Sequence, residues 1–339
     1  MTKWTASEIP PQNGRLAIVT GTGGLGYETS LALARAGAEV IVAGRNPGKG
    51  AEAVAAITSA VPGAKARFEA LDLARLQTVA DFATRIGQQH ERVDLLINNA
   101  GVMVPPSRQE TADGFELQFG TNYLGHFALT AHLLPLLRNS SGARVISLSS
   151  IAARQGQIDL ADLQCNDYVP MKAYSQSKLA CLMFAFELQR RIEAGSWGIA
   201  SMAAHPGVAR TDLVHNGAGR SSLLGWGRTW LGFLFQPAWQ GALPTLYAAT
   251  APEAKPGGYY GPNQLSEVRG YPAPSRVPPQ ALDTKMAAAL WAASEDLAGV
   301  RFPGGSGQCW GRASPNRSGD VLDWALRAMA DAAPSAMRG

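Results

Sequence analysis

The sequence predicts an α/β protein, a single domain on a doubly wound parallel sheet (Rossmann fold) with helices on both faces. Two observations carry this. From Leu16 onward, short apolar or β-branched runs alternate with stretches of helical spacing. Near-continuous apolar strands of that kind belong to parallel sheets covered on both sides by crossover helices. The second is the turn Gly21-Thr22-Gly23-Gly24-Leu25-Gly26, which falls between the first apolar run and the first helical stretch. A dinucleotide-binding turn occupies that place.

Taken in order, Leu16–Thr20 reads as the first strand, and residues 27–36 as a helix closed by Gly37. Residues 39–43 form a second β-branched run, followed by a helix over 48–60. Residues 66–71, 94–97, Arg144–Leu148 and 199–204 supply further strands, with a helix over 173–191 ahead of the last. The domain runs over residues 15–302, after an N-terminal extension of residues 1–14. Residues 303–319 are rich in Gly, Ser and Arg and read as a linker. Residues 320–332 then read as one short helix in a mobile tail, 303–339.

At 339 residues and 46% hydrophobic content, the chain is long and apolar enough to bury a sizeable core. Its 30 basic and 26 acidic side chains leave a net charge of +4, too small and dispersed to argue for nucleic acid. Cys165, Cys181 and Cys309 are few and widely spaced, with neither metal-ligand spacing nor a disulfide framework. The start, Met1-Thr-Lys-Trp-Thr-Ala, lacks the apolar core of a signal peptide, and no apolar run is long enough to span a bilayer. The expectation is a reduced, cytoplasmic protein.

The chemistry sits in three places. The glycine turn lets backbone approach a pyrophosphate, whose charge a helix N-terminus favours. The second strand ends at Ala43-Gly-Arg45-Asn46, where an NAD site would carry a carboxylate for the ribose 2′-hydroxyl. Arg45 suits a 2′-phosphate instead, so NADP(H) is expected over NAD(H). Third, Tyr174 and Lys178 are four apart on a helix and share a face. An ammonium roughly 4 Å from a phenol, at an effective dielectric of about 20, favours phenolate by about 4 kcal/mol. That brings a group with a free pKa near 10 towards the range where acid–base catalysis works.

With these residues in place the chain resembles the short-chain dehydrogenases/reductases, over roughly residues 15–302. The matching motifs are Thr20-Gly21 with Gly24 and Gly26, Asp72-Leu73, Asn98-Asn-Ala-Gly101, Asn122, Ser150, Tyr174, Lys178 and Pro206-Gly207, in that order. Asp113-Gly-Phe-Glu, Asn122-Tyr-Leu-Gly-His-Phe127, His205-Pro-Gly207 and Trp291-Ala-Ala-Ser-Glu295 are similar to the retinol dehydrogenase-like branch and its bacterial relatives. The resemblance implies a nicotinamide-dependent oxidoreductase in which Tyr174 exchanges a proton with the substrate oxygen. Lys178 would lower the phenol pKa and bond the nicotinamide ribose. Ser150 would orient the carbonyl, and Asn122 would hold a water linking Lys178 to solvent. Asp72 and Leu73 would meet the adenine, Asn99, Ala100 and Gly101 the adenosine ribose, and Pro206, Gly207 and Thr211 the nicotinamide end. No metal is implied, and homo-oligomers are common in the family.

Two departures stand out. The family turn is T-G-x-x-x-G-x-G, whereas only Thr22 and Gly23 separate Gly21 from Gly24, one residue fewer. Weakened binding of the adenosine phosphates is the expectation. Ser150 and Tyr174 are 24 positions apart, with an insertion at 152–172 that would border the substrate entrance. Past Thr211, residues 211–248 would cover the substrate, and Trp226, Trp230, Phe233, Phe235 and Trp239 point to a hydrophobic ketone, aldehyde or alcohol. Core packing of a helix pair is the other reading of that segment, with shallow membrane contact a third. Alternative functions are reduction of a C=C bond, and a non-catalytic NADP(H)-sensing role.

Overall fold

The structure is a computed structural model that describes residues 3–208 and 236–303. Eight strands form one sheet in the order β3-β2-β1-β4-β5-β6-β7-β8. They are β1 (Leu16–Thr20), β2 (Glu39–Gly44), β3 (Ala66–Ala70), β4 (Leu95–Asn98), β5 (Arg144–Leu148), β6 (Ala200–Ala204), β7 (Tyr259–Gln264) and β8 (Arg269–Pro274). Pairing is parallel from β3 through to β7, and β8 closes the edge antiparallel to β7. The doubly wound parallel expectation holds, apart from this last strand. The winding reverses where β1 pairs β4, and the crevice at the carboxyl ends there is where such sheets bind ligands.

Helices cover both faces. One layer holds α1 (Gly24–Arg35), α2 (Pro47–Ala60), the short α6 (Ala238–Gly241) and α7 (Leu243–Thr250). The other holds α3 (Leu76–Gln89), α4 (Gly125–Arg138), α5 (Pro170–Gly195) and α8 (Thr284–Ala298). Local chemistry sets their ends. Asn46 caps α2 by accepting from the Lys49 amide at 3.0 Å, with Pro47 in the first turn. Asp283 caps α8 through the Met286 amide at 2.9 Å, and Gly299, at φ +63°, ends it.

Each layer has its own core. On the α1 side Leu33, Ile57, Leu243 and Leu246 pack on Val40, Val42 and Leu95. On the α5 side an aromatic group fills the space between helices. Phe127 meets Trp291 edge-on at 5.0 Å, and Phe184 stacks on Trp291 at 5.7 Å. Trp291 is almost wholly buried, and truncating such a residue costs about 3–5 kcal/mol. Leu179, Met183 and Phe186 are buried in this same core.

The N-terminal segment is packed against the domain. The Trp4 ring meets Tyr247 of α7 edge-on at 5.4 Å, and the Gln12 amide bonds the Ala36 carbonyl at 2.7 Å. The segment expected to cover the substrate divides. Its residues 211–235, with Thr211, Trp226, Trp230, Phe233 and Phe235, lie outside the described residues. Leu243, Leu246 and Ala248 are core residues, and Trp239 is half exposed. The tail at 304–339, with Cys309, is also outside the described residues.

Candidate active site

A cleft of about 320 Å³ opens at the carboxyl ends of β1, β2 and β4. Gly21, Thr22, Gly23, Gly24 and Leu25 line one wall, and Arg45, Asn46 and Lys49 another. Asp72, Leu73, Asn99, Ala100, Gly101 and Thr121 complete it. Gly26 lies behind the wall, where a Cβ would come within 2.4 Å of the Gly21 carbonyl oxygen. Gly21 itself has φ +101°, which only glycine adopts without strain, and a Cβ there would strike the Asn99 amide nitrogen at 2.8 Å. The turn is therefore bare backbone pressed on the β4 loop, a fit for a dinucleotide pyrophosphate. A larger cavity of about 720 Å³ lies at the opposite ends of the strands, lined by Arg15, Lys65, Glu91 and Asp94 among others, and holds none of the site residues.

Beneath the cleft, Thr20 joins the two loops. Its hydroxyl accepts from the Asn99 and Ala100 amides, both at 2.9 Å, and the Asn99 side chain donates to the Thr20 carbonyl at 2.6 Å. The same hydroxyl lies 2.9 Å from Nε2 of His126, whose Nδ1 lies 2.9 Å from the Asn122 carbonyl oxygen. That carbonyl only accepts, so Nδ1 carries the proton and Nε2 accepts from Thr20. Burial, with a smaller push from Lys178, lowers the His126 pKa to about 4, so the ring is neutral.

Asn122 sits in a π-helical turn, Phe119–Leu124, that runs into α4. Such turns free a helix from its regular ladder and occur often at functional sites. Its carbonyl accepts from His126 and, at 3.2 Å, from the Cys181 thiol. Its side chain accepts from the Val102 amide at 2.7 Å and donates to the Val102 carbonyl and Ser177 hydroxyl, both at 3.0 Å. Asn122 thus braces the loop after β4 against α5. The water-holding role implied for it would need the second lone pair of Oδ1.

Tyr174 and Lys178 lie on α5, both nearly buried. The ammonium is 5.9 Å from the centroid of the phenol ring and donates to the Leu148 carbonyl at 3.1 Å. A Cβ on Gly101 would stand 3.5 Å from Lys178 Nζ, so the cleft floor runs directly to the lysine. Ser150 follows β5 and accepts from the Ala152 amide at 3.2 Å, capping a short 3-10 turn, Ile151–Gln155. Pro206 and Gly207 follow β6. Gly207 has φ +63°, and a Cβ there would strike the Val268 carbonyl at 2.3 Å.

The cleft thus gathers the glycine turn, Arg45, Asn46, Asp72, Leu73 and the loop of Asn99, Ala100 and Gly101. Asn122 and Lys178 reach its floor at Gly101, and Tyr174 shares a helix with Lys178. Ser150, Pro206 and Gly207 follow the neighbouring strands β5 and β6 outside the cleft lining, while Thr211 lies outside the described residues. Sequence reasoning passed over Thr20, His126 and Cys181 as site residues. Only the spacing of His126 from Asn122, four residues on a helix, could have signalled one of them.

The family model for short chain dehydrogenases matches residues 15–219. The chain belongs to the short-chain dehydrogenase family. Mouse retinol dehydrogenase 13 is 41% identical over 303 residues, 86% of either chain. Mouse polyprenol dehydrogenase is 40% identical over 313 residues, 89% of either chain. Among solved structures, an uncharacterized protein from Mycobacterium paratuberculosis is 40% identical with a TM-score of 0.73, covering 89% of this chain and all of that one. These similarities place this short-chain dehydrogenase in the retinol dehydrogenase-like branch of an oxidoreductase family that uses nicotinamide cofactors. Among its described residues no helix is long and apolar enough to cross a membrane, and no group of three His, Cys, Asp or Glu could hold a metal.

Proposed function

We propose that the protein is an NADP(H)-dependent oxidoreductase that interconverts a hydrophobic ketone or aldehyde and its alcohol, with Tyr174 as general acid and base. The observation that carries this is the run from the glycine turn, across the bare floor at Gly101, to Lys178 and Tyr174 on one helix face. When bound, the nicotinamide supplies a hydride to the carbonyl carbon or accepts one from the alcohol.

The chain's own residues do the rest. Tyr174 gives its proton to the carbonyl oxygen during reduction and takes one from the alcohol during oxidation. Lys178 places its ammonium beside the phenol ring, 5.9 Å from the ring centroid, and Ser150 donates a hydrogen bond to the same substrate oxygen. Asn122 fixes the Val102 loop to α5 so that floor and base keep their spacing. Arg45, on the cleft wall, would hold a 2′-phosphate, and Asp72 and Leu73 would hold the adenine. Pro206 and Gly207, at the end of β6, would hold the nicotinamide end.

Val169 and Met171 support an apolar substrate. Both are about half exposed at the start of α5, within two turns of Tyr174. Relatives named for retinol and polyprenol point to a long isoprenoid alcohol or aldehyde as the substrate class. Cys165 and Cys181 are free and buried, in keeping with a reduced, cytoplasmic setting.

The test is NADPH and NADH consumption with bulky hydrophobic aldehydes and ketones, run beside Tyr174→Phe. The expected result is NADPH-linked turnover that falls by about 10²–10⁴ in the mutant. Equal turnover in Tyr174→Phe would overturn the assignment.

A further inference from the structure

Glu267 lies in the turn between β7 and β8, far from the cofactor cleft in sequence, yet its carboxylate joins two arms of the site. Oε2 accepts from Arg154 Nη2 at 2.6 Å, from His205 Nε2 at 3.0 Å and, in a very short contact, from the Ser275 hydroxyl. Oε1 accepts from the Arg276 amide at 2.9 Å. Arg154 belongs to the 3-10 turn that Ser150 caps. His205 immediately precedes Pro206-Gly207, and its Nδ1 accepts the Gly207 amide at 3.2 Å. With Nδ1 accepting, the ring proton is on Nε2, which faces Glu267 and Ser275.

The surroundings make this a built feature. The His205 side chain has no exposed surface, and burial pushes its pKa down, so it is neutral and cannot form a full ion pair. Burial alone would raise the Glu267 pKa. The hydrogen bonds from His205, Ser275 and Arg276 outweigh it and hold the carboxyl at about 2. The turn is also strained. Leu265, Ser266 and Glu267 are three consecutive non-glycine residues at φ +49°, +54° and +70°. Such backbone persists only where the surroundings over-determine it, and it gathers at functional positions. The next residue contributes as well, because the Val208 amide donates to the Val268 carbonyl at 2.8 Å.

We propose that Glu267 is a positioning residue for hydride transfer, holding the Ser150 turn and the Pro206-Gly207 segment at a fixed separation. Ser150 orients the substrate oxygen, and Pro206-Gly207 carries the nicotinamide end. Their separation therefore sets the hydride donor–acceptor distance, to which rates are steeply sensitive. The inference rests on the function proposed above.

The experiment is steady-state kinetics of Glu267→Gln and Arg154→Gln beside wild type and Tyr174→Phe, with NADPH and with NADPH deuterated at the transferred position. Melting temperatures are taken in parallel. Glutamine keeps the shape but has one weakly accepting oxygen in place of the shared Oε2. For Glu267→Gln, kcat is expected to fall at least about tenfold while the KM for NADPH stays within about twofold. The isotope effect on kcat should rise, because the chemical step becomes slower relative to release. Arg154→Gln removes the partly exposed partner alone and should show the same pattern at smaller size, which guards against a Glu267 variant that fails to fold. A kcat within threefold of wild type in both variants would overturn the proposal. So would a loss that cooling below the melting range restores, or one that appears only in cofactor affinity. Absence of turnover in the wild type would instead strike the proposed function itself.

Discussion

Replacing Thr20 tests the joint beneath the cleft. Thr20→Val keeps the side-chain shape and removes the hydroxyl, whereas Thr20→Ser keeps the hydroxyl and removes a methyl group. The hydroxyl is the partner of buried His126 Nε2 and of the Ala100 amide, while the Asn99 amide also reaches the Ile97 carbonyl at 3.0 Å. Two groups therefore lose their partner in Thr20→Val. An orphaned buried polar group costs about 1–3 kcal/mol, and the Ala100 amide regains some solvent in the cleft, so about 3 kcal/mol is expected in all. Removing the buried methyl in Thr20→Ser costs about 1 kcal/mol. In a domain of this size about 1 kcal/mol moves Tm by roughly 2–4 °C. Urea unfolding at pH 7.5 should then rank wild type above Ser above Val, the last well separated. NADPH binding should weaken in Val alone, because its floor amides lose their anchor. Equal stability of Ser and Val, or Val the more stable, would refute the hydrogen-bond reasoning.

Three further outcomes follow from the site. Arg45→Asp should lower kcat/KM for NADPH by at least about tenfold and leave or improve that for NADH, read from initial rates with each cofactor. The His126 pKa of about 4 lies below the unfolded value of 6.5, so the unfolded chain binds more protons between those values. Its contribution is complete above pH 6.5 and lost as pH falls towards 4, by about 3 kcal/mol. Unfolding free energies against pH should show that limb, and His126→Gln should make it shallower, leaving the same-sign effects of His205, His132 and His90. Finally, an alanine inserted after Gly21 should restore the family length of the turn and tighten NADPH binding. An unchanged or larger dissociation constant would count against the short turn as a weak point.

The inner strands were legible because burial on both faces leaves an uninterrupted apolar run, and β1 and β5 match the sequence reading residue for residue. The first helix begins at Gly24 instead of residue 27, since its opening glycines carry turn signals and yet form the first turn. The hairpin β7–β8 was not legible. Its residues, with Gly261, Pro262, Gly270, Pro272 and Pro274, have the composition of loops, and only its place at the sheet edge makes prolines tolerable. Tyr174 and Lys178 announced themselves by helical spacing. Glu267, Arg154 and His205 did not, because Arg154 and His205 lie 113 and 62 residues from Glu267 and meet it only through that unforeseen hairpin. The π-helical turn at Asn122 leaves no mark in the periodicity either, because it comes from one local shift of the hydrogen-bond ladder.

The antiparallel strand β8 settles how the sheet stops. An open parallel edge is a row of donors and acceptors awaiting another strand. Here the edge strand carries Pro272 and Pro274, neither of which has an amide hydrogen to offer. An incoming strand would find a ladder with missing rungs, so growth of the sheet from one molecule into the next is blocked on that side. Pairing of two copies through the β8 edge would have to do without those two rungs.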